Sequence, residues 1–156
     1  MTLNLKLNIQ IILTFLPNRG FLRSLSLSLE DISKYTNILF INPLEHMEII
    51  KLLKKSDCLL FLSEQESLGL PIVEAILNKV PVIAPKLPYA SELLGLDYPY
   101  LFASSNNQET RNDLIRIIKK FVFDLNNKKV KSHKKLYLSS IDDLVDLIFA
   151  QFINNK

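Results

Sequence analysis

Cysteine is nearly missing from this sequence. Cys58 is the single one in 156 residues, so no internal disulfide can form. It sits in the apolar run Cys58-Leu59-Leu60-Phe61-Leu62 and reads as packing, with a reactive thiol as the alternative. Glycine is also scarce, at three residues, and tryptophan is absent, which leaves little room for Gly-rich phosphate loops, a collagen-like repeat or a low-complexity chain. The two histidines, His46 and His133, have no Cys or His at ligand spacing, so a structural zinc site has nothing to build on. No run approaches the roughly 20 apolar residues that a membrane-spanning helix needs. The N-terminal residues alternate apolar and polar side chains, unlike the continuous apolar core of a signal peptide, so the expected location is the cytoplasm.

What is present fits one ordinary domain over residues 1–156, since 48% hydrophobic and 22% charged residues suffice to close a single core. The net charge of +3 is mild, and much of it comes from Lys128, Lys129, Lys131, Lys134 and Lys135. Such a run is usually a solvated loop, and the alternative is attraction to anionic lipid headgroups at the inner membrane face. No aromatics interleave with those lysines, which argues against a nucleic-acid partner.

Leu3, Leu5, Leu7, Ile9, Ile11, Leu13 and Phe15 fall on alternate positions, the period of a strand with one buried face. Ser28-Leu29-Glu30-Asp31 has capping-box spacing before a short helix, although the serine and leucine alternation before it would equally extend a strand. Ile38-Leu39-Phe40-Ile41 reads as a second strand. Asn42-Pro43-Leu44-Glu45 then supplies a cap, a proline for the first helical position and an acid at the third. The helix so begun carries Leu44, Met47, Ile50 and Leu53 inward and Lys51, Lys54 and Lys55 outward. Further strands are expected over residues 58–62, 80–84 and 100–102, separated by helices over residues 70–78 and 89–94. A long helix carries Leu114, Ile117, Ile118 and Phe121, and a last one spaces Ile141, Leu144, Val145, Ile148, Phe149 and Phe152 along one stripe. Short apolar strands alternating with amphipathic helices imply an α/β fold, a Rossmann-like parallel sheet with helices on both faces. In such sheets ligands bind beyond the carboxyl ends of the strands.

The most polar of the turns that follow a strand begins at Ser63-Glu64-Gln65-Glu66 and runs into Ser67-Leu68-Gly69-Leu70-Pro71-Ile72-Val73-Glu74. Backbone N–H groups at a helix start near Gly69 and Leu70 have no intrahelical partner and turn the positive dipole end toward an anion such as pyrophosphate. Carboxylates accept hydrogen bonds from vicinal hydroxyls, the groups that a ribose or hexose presents. Glu74 lies about one turn into the helix and leans back over the loop. Taken singly, Glu66 reads equally as a solvated loop acid and Glu74 as an exposed helix residue.

Their combination with Asn78-Lys79-Val80-Pro81-Val82-Ile83-Ala84 and Leu87-Pro88-Tyr89-Ala90-Ser91-Glu92 resembles, over residues 37 to about 102, the family-4 glycosyltransferases. Those enzymes have a serine after a strand, an E-x7-E pair, a G-L-P helix start, a strand of the form small-G-x-P-V-I-A and a later glutamate. The resemblance implies the C-terminal, nucleotide-sugar-binding half of a GT-B glycosyltransferase and retaining hexosyl transfer to a glycan or lipid-linked acceptor, as in polysaccharide assembly. It makes Glu66 the catalytic residue at the transferred sugar and Glu74 the ribose ligand. Ser67, Leu68, Gly69 and Leu70 complete the donor contacts, and Asn42 to Leu44 match the nucleobase loop more weakly. It implies no cofactor and no metal, with the helix dipole and basic side chains stabilising the leaving pyrophosphate.

The sequence departs from the family at Ser67, where glycine is usual, at Leu68, where phenylalanine is usual, and at Lys79, where the family has a glycine. The family's phosphate-binding Arg and Lys have no counterpart, and Arg19, Arg23 and Lys86 read as surface charge. The first strand-helix unit and the acceptor-binding domain are expected to be absent, so a second chain would have to supply the acceptor side. GT-B enzymes close two domains over the donor to exclude water, and the polypeptide alone is therefore expected to transfer sugar very poorly. The alternative is a non-catalytic module that binds a nucleotide sugar or docks a partner. An epimerase half is disfavoured by the E-x7-E spacing, and a phosphoacceptor switch by Asp57, which precedes its strand instead of ending it.

Overall fold

The computed structural model describes residues 9–14, 34–66, 68–104 and 107–131. The chain divides into two compact units, Met1–Ile49 and Ile50–Lys156. In the first, β1 (Ile11–Leu13) pairs in parallel with β2 (Ile38–Phe40), with Ile11 opposite Ile38 and Leu13 opposite Phe40. The Ile11 N–H donates to the Asn37 carbonyl at 2.8 Å and the Ile41 N–H to that of Leu13 at 2.9 Å. Of the expected first strand, Leu3, Leu5, Leu7 and Phe15 lie outside the described residues, as does the cap at Ser28 to Asp31.

Helix α1 (His46–Lys55) starts later than the Asn42-Pro43 signal implied. The cap is Glu45: its carbonyl accepts from the N–H groups of Glu48 at 2.8 Å and Ile49 at 3.0 Å, while the Glu48 carboxylate reaches back to the Glu45 N–H at 3.1 Å. The carboxylate bond is one half of a capping box, displaced by three residues from the expected position. Met47, expected inward, is 65% exposed, because the later start confines the apolar stripe to Ile49, Ile50 and the buried Leu53. Lys51, Lys54 and Lys55 are exposed as expected.

In the second unit, β3 (Leu59–Leu60), β4 (Val82–Pro85) and β5 (Leu101–Phe102) form a parallel sheet in that order, with β4 central. Leu59 and Leu60 pair with Val82 and Ile83, and Ala84 and Pro85 with Leu101 and Phe102. All four residues of β4 are buried. Between the strands lie α2 (Leu70–Leu77) and α3 (Pro88–Leu94), and α4 (Asn107–Asn126) follows β5. Parallel strands flanked by helices make this an α/β fold of the Rossmann-like kind. The final apolar stripe, Ile141 to Phe152, lies outside the described residues.

The strands are shorter than their apolar runs. Val80, expected to open β4, still belongs to the end of α2: its N–H donates to the Ala75 carbonyl at 2.8 Å, and that of Lys79 to Ile76 at 3.0 Å. These two bonds form a Schellman motif in which the residue after the cap adopts left-handed backbone. That residue is Lys79, with φ +60°, at the position where a glycine costs least. At the other end of α2, Gly69 is also left-handed, at φ +57°, and a Cβ there would come within 3.3 Å of Leu93 Cδ1 and Tyr89 Cδ2.

The core of this unit joins Ile72 and Val73 of α2, β4, Leu93 and Leu94 of α3, and Ile117 and Phe121 of α4. Tyr100 is fully buried at its centre, its ring edge-on to Tyr98 at 5.5 Å and Phe121 at 5.2 Å. Its hydroxyl donates to Asp124 Oδ2 at 3.0 Å and accepts from the Lys131 N–H at 3.2 Å, so the buried phenol is satisfied at both lone pair and proton. Asp113 ties the end of β5 to α4 by accepting from the Ala103 N–H at 2.7 Å, and the Arg116 guanidinium beside it holds its carboxyl below the usual range.

The two left-handed positions predict opposite effects. Lys79→Gly should stabilise the domain by up to about 1 kcal/mol and raise its thermal unfolding midpoint, and Gly69→Ala should destabilise it by about 1–2 kcal/mol and lower the midpoint. Calorimetric melting of both variants checks this, and a lower midpoint for Lys79→Gly would contradict it.

Candidate functional site

The loop from Phe61 to Gly69 leaves the carboxyl end of β3 and enters α2, and it carries the residues that the sequence singled out. Phe61 is its last ladder contact, with its N–H donating to the Ile83 carbonyl at 2.9 Å. Ser63 Oγ then donates to the Gln65 carbonyl at 3.0 Å, folding the polar turn on itself. Glu66 is exposed in this loop and Leu68 is half-buried. Ser67 lies outside the described residues. Gly69 is buried, and its carbonyl accepts from the N–H groups of Ile72 at 2.8 Å and Val73 at 3.2 Å, which starts the helix.

No side chain caps α2. Its first residue, Leu70, is 48% exposed, and Pro71 has no N–H to satisfy. Among the described residues nothing accepts from the N–H groups of Gly69 or Leu70. Two donors at the positive end of a helix dipole thus stand without an acceptor among the described residues, beside a loop that bears carboxylates. Glu74 stands in the second turn of α2, half-buried, and its carbonyl accepts from both the N–H and the side-chain amide of Asn78 at 3.1 and 2.8 Å.

Tyr89, in the first turn of α3, was quoted in the sequence pattern without a role. It is 8% exposed, and its hydroxyl donates to the Ser63 carbonyl in a short hydrogen bond. Its ring stands edge-on to Phe61, with centroids 6.2 Å apart at 83°. Burial pushes its phenol above the ordinary range, and the nearby Glu66 carboxylate adds to the shift. A buried aromatic after Leu87-Pro88 was a legible core signal, but nothing local in sequence pairs residue 89 with residue 63.

Glu92, the later glutamate of the pattern, is exposed and lines an open groove with Asp97 and Lys131 at the C-terminal end of α3. Lys86 is exposed, and Arg19 and Arg23 lie outside the described residues. Asn42 is exposed and Leu44 half-buried in the first unit. Among the described residues no group of three or more His, Cys, Asp or Glu side chains could hold a metal ion, and no helix is long and apolar enough to cross a membrane.

A family model described as glycosyl transferases group 1 matches residues 4–135. The chain belongs to that family. No curated protein matches it. For a group 1 glycosyltransferase domain the general chemistry is glycosyl transfer and the ligand class is a nucleotide sugar, whose anionic diphosphate and vicinal hydroxyls suit exposed helix N–H groups and carboxylates.

Cys58 stands apart from that chemistry. The thiol is half-buried and donates to its neighbour's carbonyl, Leu59 O, at 3.3 Å, and burial pushes its pKa up to about 12. At pH 8 iodoacetamide should modify the folded glycosyltransferase domain roughly 1,000-fold more slowly than the unfolded chain, because the thiolate is the reacting species. Equal rates, followed by mass spectrometry, would show a reactive thiol.

Proposed function

We propose that this domain is the donor-binding, C-terminal half of a family-4, GT-B-type glycosyltransferase that transfers a hexosyl group with retention. The observation that carries the reading is the juxtaposition around the start of α2. Exposed Glu66, unpaired N–H groups at Gly69 and Leu70, and Glu74 one turn further all belong to one loop-helix segment at the carboxyl end of a parallel strand. Ligands of open parallel sheets bind at that end.

In this reading the Gly69 and Leu70 N–H groups face the diphosphate, where helix-dipole and hydrogen-bond stabilisation of the departing anion is worth most. Glu74 accepts from the ribose hydroxyls. Glu66 meets the transferred sugar as the catalytic carboxylate, with Ser67 and Leu68 beside it. No cofactor or metal takes part. An acceptor-side domain, in the same polypeptide or in a second chain, closes over the donor and excludes water. Exposed Lys128, Lys129 and Lys131 support contact with anionic headgroups at the cytoplasmic membrane face, where a lipid-linked acceptor would lie.

Isothermal titration with UDP-glucose, GDP-mannose and ADP-glucose tests the donor site. The wild-type chain should bind one of them, and Glu74→Ala should weaken that binding by about 10- to 100-fold, the worth of a hydrogen bond to a charged group. Absence of binding to all three would overturn the proposal.

A further inference from the structure

The loop that carries Glu66 has few ties of its own. Among the described residues, its backbone is held at Phe61 by one ladder bond and at Gly69 by the first bonds of α2, and between them the loop bonds to itself through Ser63 Oγ on the Gln65 carbonyl. Tyr89 meets this segment at its start, where its ring makes a T-shaped pair with Phe61 and its hydroxyl holds the Ser63 carbonyl, and at its end, where its Cδ2 would stand 3.3 Å from a Cβ on Gly69 and so packs over the glycine. The side chain is itself fixed. It is buried in the first turn of α3, beside Ala90 and Leu93 of the core, on a helix that starts three residues beyond Pro85 at the end of the central strand.

We propose that Tyr89 is a positioning residue for the donor site, clamping both ends of the residue 61–69 loop to α3 and so setting where Glu66 and the Gly69 N–H meet the nucleotide sugar. The proposal rests on the donor-site reading above. Tyr89 is not a reacting group in it, since its proton is held by the Ser63 carbonyl and its ring is buried. A phenol is protonated at neutral pH in any case, and burial and then Glu66 push this one further up, so the hydroxyl keeps its proton for the Ser63 carbonyl. Because the ring contacts brace the loop from the apolar side, the hydroxyl bond fixes its register and not its existence. Tyr98 offers a control: its hydroxyl accepts from the Val82 N–H at 3.1 Å at the start of β4, a buried phenol bond between two residues outside this loop.

Tyr89→Phe keeps the ring and deletes the clamp bond, and Tyr98→Phe deletes the control bond. Amide hydrogen exchange of peptides spanning residues 61–70, together with titration of UDP-glucose, GDP-mannose and ADP-glucose, reads the result on the full chain. Tyr89→Phe should speed exchange in that loop alone and weaken the bound probe, each about fivefold, the effect of one hydrogen bond. Tyr98→Phe should lower the melting temperature and leave loop exchange and probe affinity as in wild type. Unchanged loop exchange in Tyr89→Phe would overturn the clamp. Faster exchange with unchanged affinity would overturn its positioning role. If the wild type binds none of the probes, the donor-site reading falls and takes the positioning role with it, while the exchange data still show whether Tyr89 holds the loop.

Discussion

The second unit depends on one constraint: the backbone of β4 is buried at every residue, so each of its polar groups must be answered inside the fold. Parallel partners on both sides answer them. The Pro81 and Ile83 carbonyls take the N–H groups of Leu59 and Phe61, and the Tyr100 carbonyl takes that of Ala84, while the Val82 N–H, at the strand's entry, goes to the Tyr98 hydroxyl. A strand satisfied in this way fixes the direction of its neighbours. With all strands parallel, every connection must cross back by way of a helix, and the carboxyl ends of β3, β4 and β5 lie on one edge. The loop bearing Glu66 and the first turn of α3 bearing Tyr89 both emerge from that edge.

The same constraint explains what was legible in the sequence. The apolar runs at residues 58–62, 80–84 and 100–102 announced the strands of this parallel sheet, because strands covered on both faces carry no alternation, whereas the equally apolar run at residues 38–41 pairs with β1 and leaves Leu39 exposed. Their ends were overread: Val80 is as apolar as Val82, yet its N–H closes α2, and a hydropathy pattern does not distinguish ladder bonds from a helix cap. The start of α1 was misassigned for a related reason. Asn42-Pro43 is a good local signal, but Glu45 and Glu48 repeat the same spacing three residues on, where the Glu48 carboxylate takes the Glu45 N–H, and the spacing alone does not choose between them. At Lys79 the departure from the family pattern, a lysine where glycine is usual, turned out to be left-handed backbone that a lysine endures.

The candidate site was legible as chemistry and not as architecture. Acidic and amide groups bracketing a Gly-Leu-Pro helix start are visible in one dimension. The clamp between Tyr89 and Ser63 is not, since it joins residues 26 apart through a helix and a strand. Long-range contacts of this sort are fixed by the packing of α3 on the sheet, which no local propensity encodes. They also supply rigidity, which matters because a site acting by electrostatic complementarity gains from groups already held in place.

The central claim is that the start of α2 and the loop before it form one wall of a nucleotide-sugar site. Chemical-shift mapping on the ¹⁵N-labelled chain tests it most directly, with UDP-glucose, GDP-mannose and ADP-glucose added in turn. The account predicts that the probe that binds moves the amide resonances of Gly69, Leu70 and Glu74 most. Shifts centred on Glu92 and Asp97 at the other end of α3, with these three unmoved, would contradict it.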